Sequence, residues 1–331
     1  MNSSGPISLG GVTAGVSIEI ENGGNGTTQI SLNDTAVRNL AGVPSGAITM
    51  PTNFYGKSNR VALSVTYSTN TTNATVALGS ISGYSAGKSD ITITINSGIY
   101  VYSTSTANAG LTITGGTSGD TLTIVNNGFI LGMGGNANSP VSGGSAGGTA
   151  LSLSYSATIN NTNASAYIAG GGGGGGSRYS GGGGGAGGGN GATSQTGSGG
   201  GGGGGVGSSG SAGGGTGGQG GGSGGGGGSD AGGKSANYGG GGGGGRILPG
   251  SGGSGGGSVG QGGAGGSANA SGGNNFGNGQ GGGGGGGGWG ASGGTGGGNQ
   301  GGGAGGKAVA LNGNTVTWTS GNTTRVYGAV S

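Results

Sequence analysis

The sequence predicts a mainly β protein with a C-terminal bundle, or sandwich, of polyglycine II helices and almost no α-helix. Three observations carry that expectation. Glycine supplies 111 of 331 residues, without the every-third-residue period or the abundant proline of collagen. The glycines gather in uninterrupted runs at 170–176, 181–185, 199–205, 224–228, 239–245 and 281–288. Alternating apolar and hydroxylated segments fence those runs on both sides.

Residues 1–58 read as a small module. Alternation at Val16, Ile18 and Ile20, and again at Ile30 and Leu32, suggests two short strands with the turn at 22–26. Asn33 or Asp34 can cap a helical turn or two through Val37 and Leu40, ended by Gly42 and Pro44. Attachment to another protein is the simplest role for such a module.

Residues 59–169 are dense in threonine, serine and β-branched side chains: RVALSVTYS, DITITINS, IYVYS, GLTIT and DTLTIVNNGFIL. Every second position is apolar within most of these segments, and glycine, asparagine and serine mark the joins. The pattern fits a β-sandwich or a short β-solenoid and does not choose between them. Twice, in TLTIVNNGFILGMGGN and SLSYSATINNTNASAYIAGGGG, the chain passes through strand, Asn-rich turn, strand and glycine. The glycine region therefore reads as an outgrowth of the sheet.

Residues 170–306 hold the runs. A flexible linker has no need for runs of similar length separated by varied inserts such as SRYS, RILPGS and WGAS. Ordering each glycine costs about 1–2 kcal/mol, and no side chain is there to offset it. Backbone hydrogen bonds must do so, at about 0.5–1.5 kcal/mol each, helped by Cα–H···O contacts. An extended threefold helix has no internal bonds, so its partners have to be neighbouring strands, and bare Cα atoms let those approach from several sides. Residues 307–331 return to alternation through Val309, Leu311, Val316 and Trp318, as strands closing the bundle.

Composition excludes several classes of chemistry. The chain has no cysteine and no histidine, which removes disulfides, thiolate and imidazole catalysis and the usual zinc sites; no cofactor is expected. The six carboxylates, Glu19, Glu21, Asp34, Asp90, Asp120 and Asp230, form no sequence pair suited to acid–base work. Nine basic side chains, thinly scattered, make no stripe for nucleic acid. Gly228, Gly233, Lys234 and Ser235 meet the spacing of a phosphate-binding loop, but their flanks are glycine where a strand and a helix are needed. With no apolar run long enough to span a bilayer and no signal-like N-terminus, a chain made in a cytoplasm and not inserted in a membrane is expected.

The candidate functional residues are the large side chains of the inserts: Arg178, Tyr179, Tyr238, Arg246, Ile247, Leu248, Phe276 and Trp289. They can plug the ends of the bundle or pack between loops. Alternatively, they form a contact surface, since arginines and aromatics on short loops over a rigid scaffold equip a binding face.

The segment at 30–58, ISLNDTAVRNLAGVPSGAITMPTNFYGKS, resembles one that recurs in tail and baseplate proteins of tailed bacteriophages. The closing VTWTSGNTTRVYGAVS resembles the C-terminal strands of glycine-rich tail-fibre proteins. The region 170–306 is similar to the distal adhesins on long tail fibres of T-even-type phages, where loops joining polyglycine II helices recognise the host. Residues 1–58 depart from the fibre-attachment region of those adhesins. The resemblance implies a non-enzymatic virion protein, assembled in the bacterial cytoplasm. Its partners would be other tail proteins, through 1–58, and a bacterial surface receptor, an outer-membrane protein or polysaccharide. Tail fibres are commonly threefold, which makes a homotrimer the expectation. A purely structural tail-tip or decoration protein is the alternative, and a solenoid carbohydrate-active enzyme is disfavoured by the dispersed carboxylates.

Overall fold

Asp34 stands where a helix should begin, and it does: α2 spans Thr35–Ala41 with Asp34 at its N-cap, ended by Gly42 in the left-handed region at φ 68°. The structure, a computed structural model, describes residues 1–138, 142–177, 181–192, 270–274, 282–321 and 324–331. The chain packs as two compact units. The first comprises Met1–Leu63, Ser82–Asp90 and Thr117–Thr121, and the second Ser64–Ile81, Ile91–Gly116 and Leu122–Ser331.

In the first unit the strand expected around Val16–Ile20 is instead a short helix, α1, Ile18–Glu21. The Ser17 hydroxyl accepts from the Ile20 N–H at 3.2 Å and starts the turn. Ile18 then points into a core with Val37, Leu40 and Phe54. Nor is there a strand at Ile30–Leu32: the Asp34 carboxylate takes the Ser31 N–H at 2.7 Å, a donor that a ladder would need. The buried Glu19 carboxylate accepts from the backbone of Asn25 (3.0 Å) and Gly26. Asp120 joins Tyr84 (2.7 Å), the Thr117 N–H (2.8 Å) and the Ser89 N–H (3.1 Å). Burial alone would lift the Asp120 carboxyl, but these hydrogen bonds outweigh it and hold it below the usual carboxylate value.

The alternating segments form a parallel, three-sided β-solenoid, which decides the choice the sequence left open. Its strands are β1 (Val61–Tyr67), β2 (Thr71–Thr72), β3 (Ala74–Ala77), β4 (Ser89–Ile95), β5 (Tyr100–Tyr102), β6 (Leu111–Thr114) and β7 (Thr121–Asn126). There follow β8 (Phe129–Leu131), β9 (Leu151–Leu153), β10 (Ala157–Asn160), β11 (Tyr167–Ala169), β12 (Val309–Ala310), β13 (Val316–Ser320) and β14 (Val326–Tyr327). Every third strand joins the same sheet: β1-β4-β7-β10-β13, β2-β5-β8-β11-β14 and β3-β6-β9-β12. A sandwich would pair consecutive strands antiparallel, whereas a coil returns to each face once per turn.

Register stacks like on like inside the coil. Val101, Ile130, Ile168 and Val326 align through one sheet, and Leu111, Leu151 and Val309 through another; all are buried. Asn126 and Asn161, also fully buried, continue the ladder at a corner, the Nδ2 of one donating to the Oδ1 of the other at 2.8 Å. At that corner Gly128 lies against the Asn96 and Ile99 carbonyls, and a Cβ would leave no room for either. The solenoid also extends beyond residue 169. Strands β12, β13 and β14 pair with β9, β10 and β11, so the C-terminal segment completes the last coils.

Between β8 and β9, and between β11 and β12, the chain leaves the coil as glycine-rich segments. Residues 171–176 each donate a backbone bond to another segment, and the direction repeats every third residue. Gly171 and Gly174 donate to Gly148 and Ser145, Gly172 and Gly175 to Ala186 and Gly183, and Gly173 and Gly176 to Ala291 and Gly294, all at 2.7–3.0 Å. Their carbonyls accept from Gly306, Gly303, Gly135, Gly287 and Gly284. One segment is thus bonded to six stretches of surrounding backbone.

Candidate functional site

The ends of this array decide what it can present. The segment 170–177 leaves the end of β11, where Gly170 donates to Tyr327 (2.9 Å), and finishes at Ser177. Ser177 exchanges two backbone bonds with Ser142, and its hydroxyl accepts from the Gly182 N–H at 2.8 Å. Ala192 donates to Gly182, Gly183 to Gly284, Gly285 to Gly273 and Gly297 to Gly282. Asn138, Ser142, Ser177, Gly181, Ala192, Asn274 and Gly282 therefore all lie at the end of the array away from the solenoid. Ala270 is level with Gly288, nearer the solenoid.

Those flanks bound the inserts. Arg178 and Tyr179 fall between Ser177 and Gly181, and Phe276 between Asn274 and Gly282. Tyr238, Arg246, Ile247 and Leu248 fall in the stretch that begins after Ala192. These seven candidates lie outside the described residues. The eighth, Trp289, is described and fully buried, so the contact-surface reading fails for it. Its ring sits with Leu131, Ala169 and Ala186, and with the partly buried Tyr100, Tyr102, Phe129, Tyr167 and Tyr327, at the base of the array. It is a plug, because a large apolar ring at that junction gains more from burial than from water.

The sequence reading missed an aromatic column that packs against the cluster holding Trp289. Tyr100, Phe129, Tyr167 and Tyr327, one per coil, stack with ring centroids 4.4, 5.9 and 5.8 Å apart. The signal was an aromatic near the start of YVY, FIL and YIA and in VY, legible only once those strands are known to share a sheet. Among the described residues no group of three or more His, Cys, Asp or Glu side chains is placed to hold a metal, and no helix is long and apolar enough to cross a membrane.

Comparison with known proteins gives three findings. No curated protein matches the chain. Among solved structures, the gp37–gp38 adhesin tip complex of the bacteriophage S16 long tail fibre aligns over 98% of this chain and 100% of that chain, with 18% identity and a TM-score of 0.43. Residues 60–198, from the start of the solenoid to beyond the first glycine runs, match the family described as phage tail fibre adhesin Gp38, and in that part the chain resembles a phage tail fibre adhesin.

Proposed function

We propose that this protein is a host-receptor-binding adhesin of a bacteriophage tail, that its glycine array is a bundle of polyglycine II helices, and that side chains carried between them contact the cell. One observation carries the reading: the segments flanking Arg178, Tyr179 and Phe276, and the segment leading to Tyr238 and Arg246–Leu248, end together on the side of the array away from the solenoid. The threefold repeat of donor directions over residues 171–176 is what a three-residue-per-turn helix without internal bonds requires. The similarity of residues 60–198 to tail fibre adhesins supports the same reading. Residues 1–58 serve as the attachment module, toward other tail proteins. A homotrimer is not needed to close the solenoid core, since one chain supplies all three sheets.

The experiment is competition. Host cells preincubated with the purified chain should adsorb the parent phage more slowly, in proportion to the dose. Unchanged adsorption at saturating protein would favour the structural tail-tip alternative.

A further inference from the structure

On the outer face of the sheet β3-β6-β9-β12 we propose a binding groove for a neutral saccharide, separate from the loop end of the array. Its floor is a row set by register, Thr112 and Ser152 side by side on β6 and β9 and Ala310 beyond on β12. The turn carrying Thr106 and Asn108, together with Thr149, forms one wall, and Asn312 forms the other. The cavity holds about 400 Å³, within the size range of small-molecule sites.

The lining selects the ligand. Among the described residues no charged and no aromatic side chain borders the groove, so an ion would find no partner there and a flat aromatic no stacking face. An apolar guest would desolvate hydroxyls without replacing their hydrogen bonds. Asn312 is fixed by bonds from its Nδ2 to the Ser152 hydroxyl and the Leu153 carbonyl, both at 3.1 Å. The hydroxyls of Thr106, Thr112 and Thr149 and the carboxamide of Asn108 bond to no other side chain or backbone group among the described residues. The threonine and alanine methyls between them offer contact to C–H faces. A pyranose ring, with hydroxyls around its rim and C–H groups on its faces, matches this alternation.

The probes are D-glucose, D-galactose and N-acetyl-D-glucosamine, each offered at millimolar concentration to the full chain in saturation-transfer NMR. The proposal expects transfer to at least one of them and a loss of about tenfold or more in affinity, or about 1.4 kcal/mol, in Asn108→Ala/Thr149→Val. Asn108 is exposed, so Asn108→Ala alone, with an unchanged melting curve, keeps the test decisive if the double variant does not fold. Absence of transfer from all three sugars would overturn the groove. So would transfer that persists undiminished in a folded variant, which would move the sugar to another surface.

Discussion

At Gly173 a methyl group would be driven into the carbonyl of Gly303, and at Gly284 into that of Gly294, backbone in both cases and unable to step aside. Gly173→Val and Gly284→Val should therefore destabilise the second unit by at least the 1–3 kcal/mol typical of overpacking, about what thermal melting resolves easily. Gly301 is the control, with open space around its missing Cβ. Gly301→Ala should be neutral or stabilise by about 0.4–1 kcal/mol through the unfolded chain. Equal melting of all three variants would mean the glycine contacts carry no stability. In the first unit, the depressed Asp120 carboxyl makes a different prediction. Its contribution is fully present above the ordinary carboxylate pKa, about 4, and is lost as pH falls through the lower folded value. Asp120→Asn should lower the melting temperature at neutral pH, with the difference shrinking toward pH 3; a gap that stays constant would rule out a charge-dependent role.

At the level of elements, the strands were legible and their arrangement was not. DITITINS and DTLTIVNNGFIL announce themselves by alternation; β7 and β8 lie within the second, and β4 starts one residue before the first. Alternation has the same period in a sandwich and in a solenoid, and only the three-by-three pairing distinguishes them. Ile18 was misread because a single four-residue turn of helix is too short to set its 3.6-residue period against a strand's period of two, while the Ser17 cap acts through one hydrogen bond. The aromatic column was invisible for a related reason: its members are far apart in sequence until coiling stacks them. Trp289 belongs to the buried cluster against which that column packs, and Trp289→Ala should cost about 3–5 kcal/mol, the range for buried large aromatics. Limited proteolysis should then cut the glycine segments before the solenoid; resistance equal to that of the parent would deny the plug its role.

At the scale of the whole molecule, the described glycine segments are structural material bonded backbone to backbone, and the large side chains of that region stand between the runs of the sequence. That division was legible in the runs themselves, because arginine, tyrosine and tryptophan stand between runs and not inside them. Which exceptions face outward was not legible, as Trp289 shows: a plug and a contact residue look identical next to glycine. The central claim is that recognition resides in the residues carried between the segments, at 178–180, 193–269 and 275–281. The most direct measurement exchanges those three stretches with their counterparts from a tail adhesin of different host range and follows adsorption of phage bearing the chimera. Adsorption should pass to the hosts of the donor, with the melting of the second unit retained. A chimera that folds and still adsorbs only to the original hosts would contradict the claim.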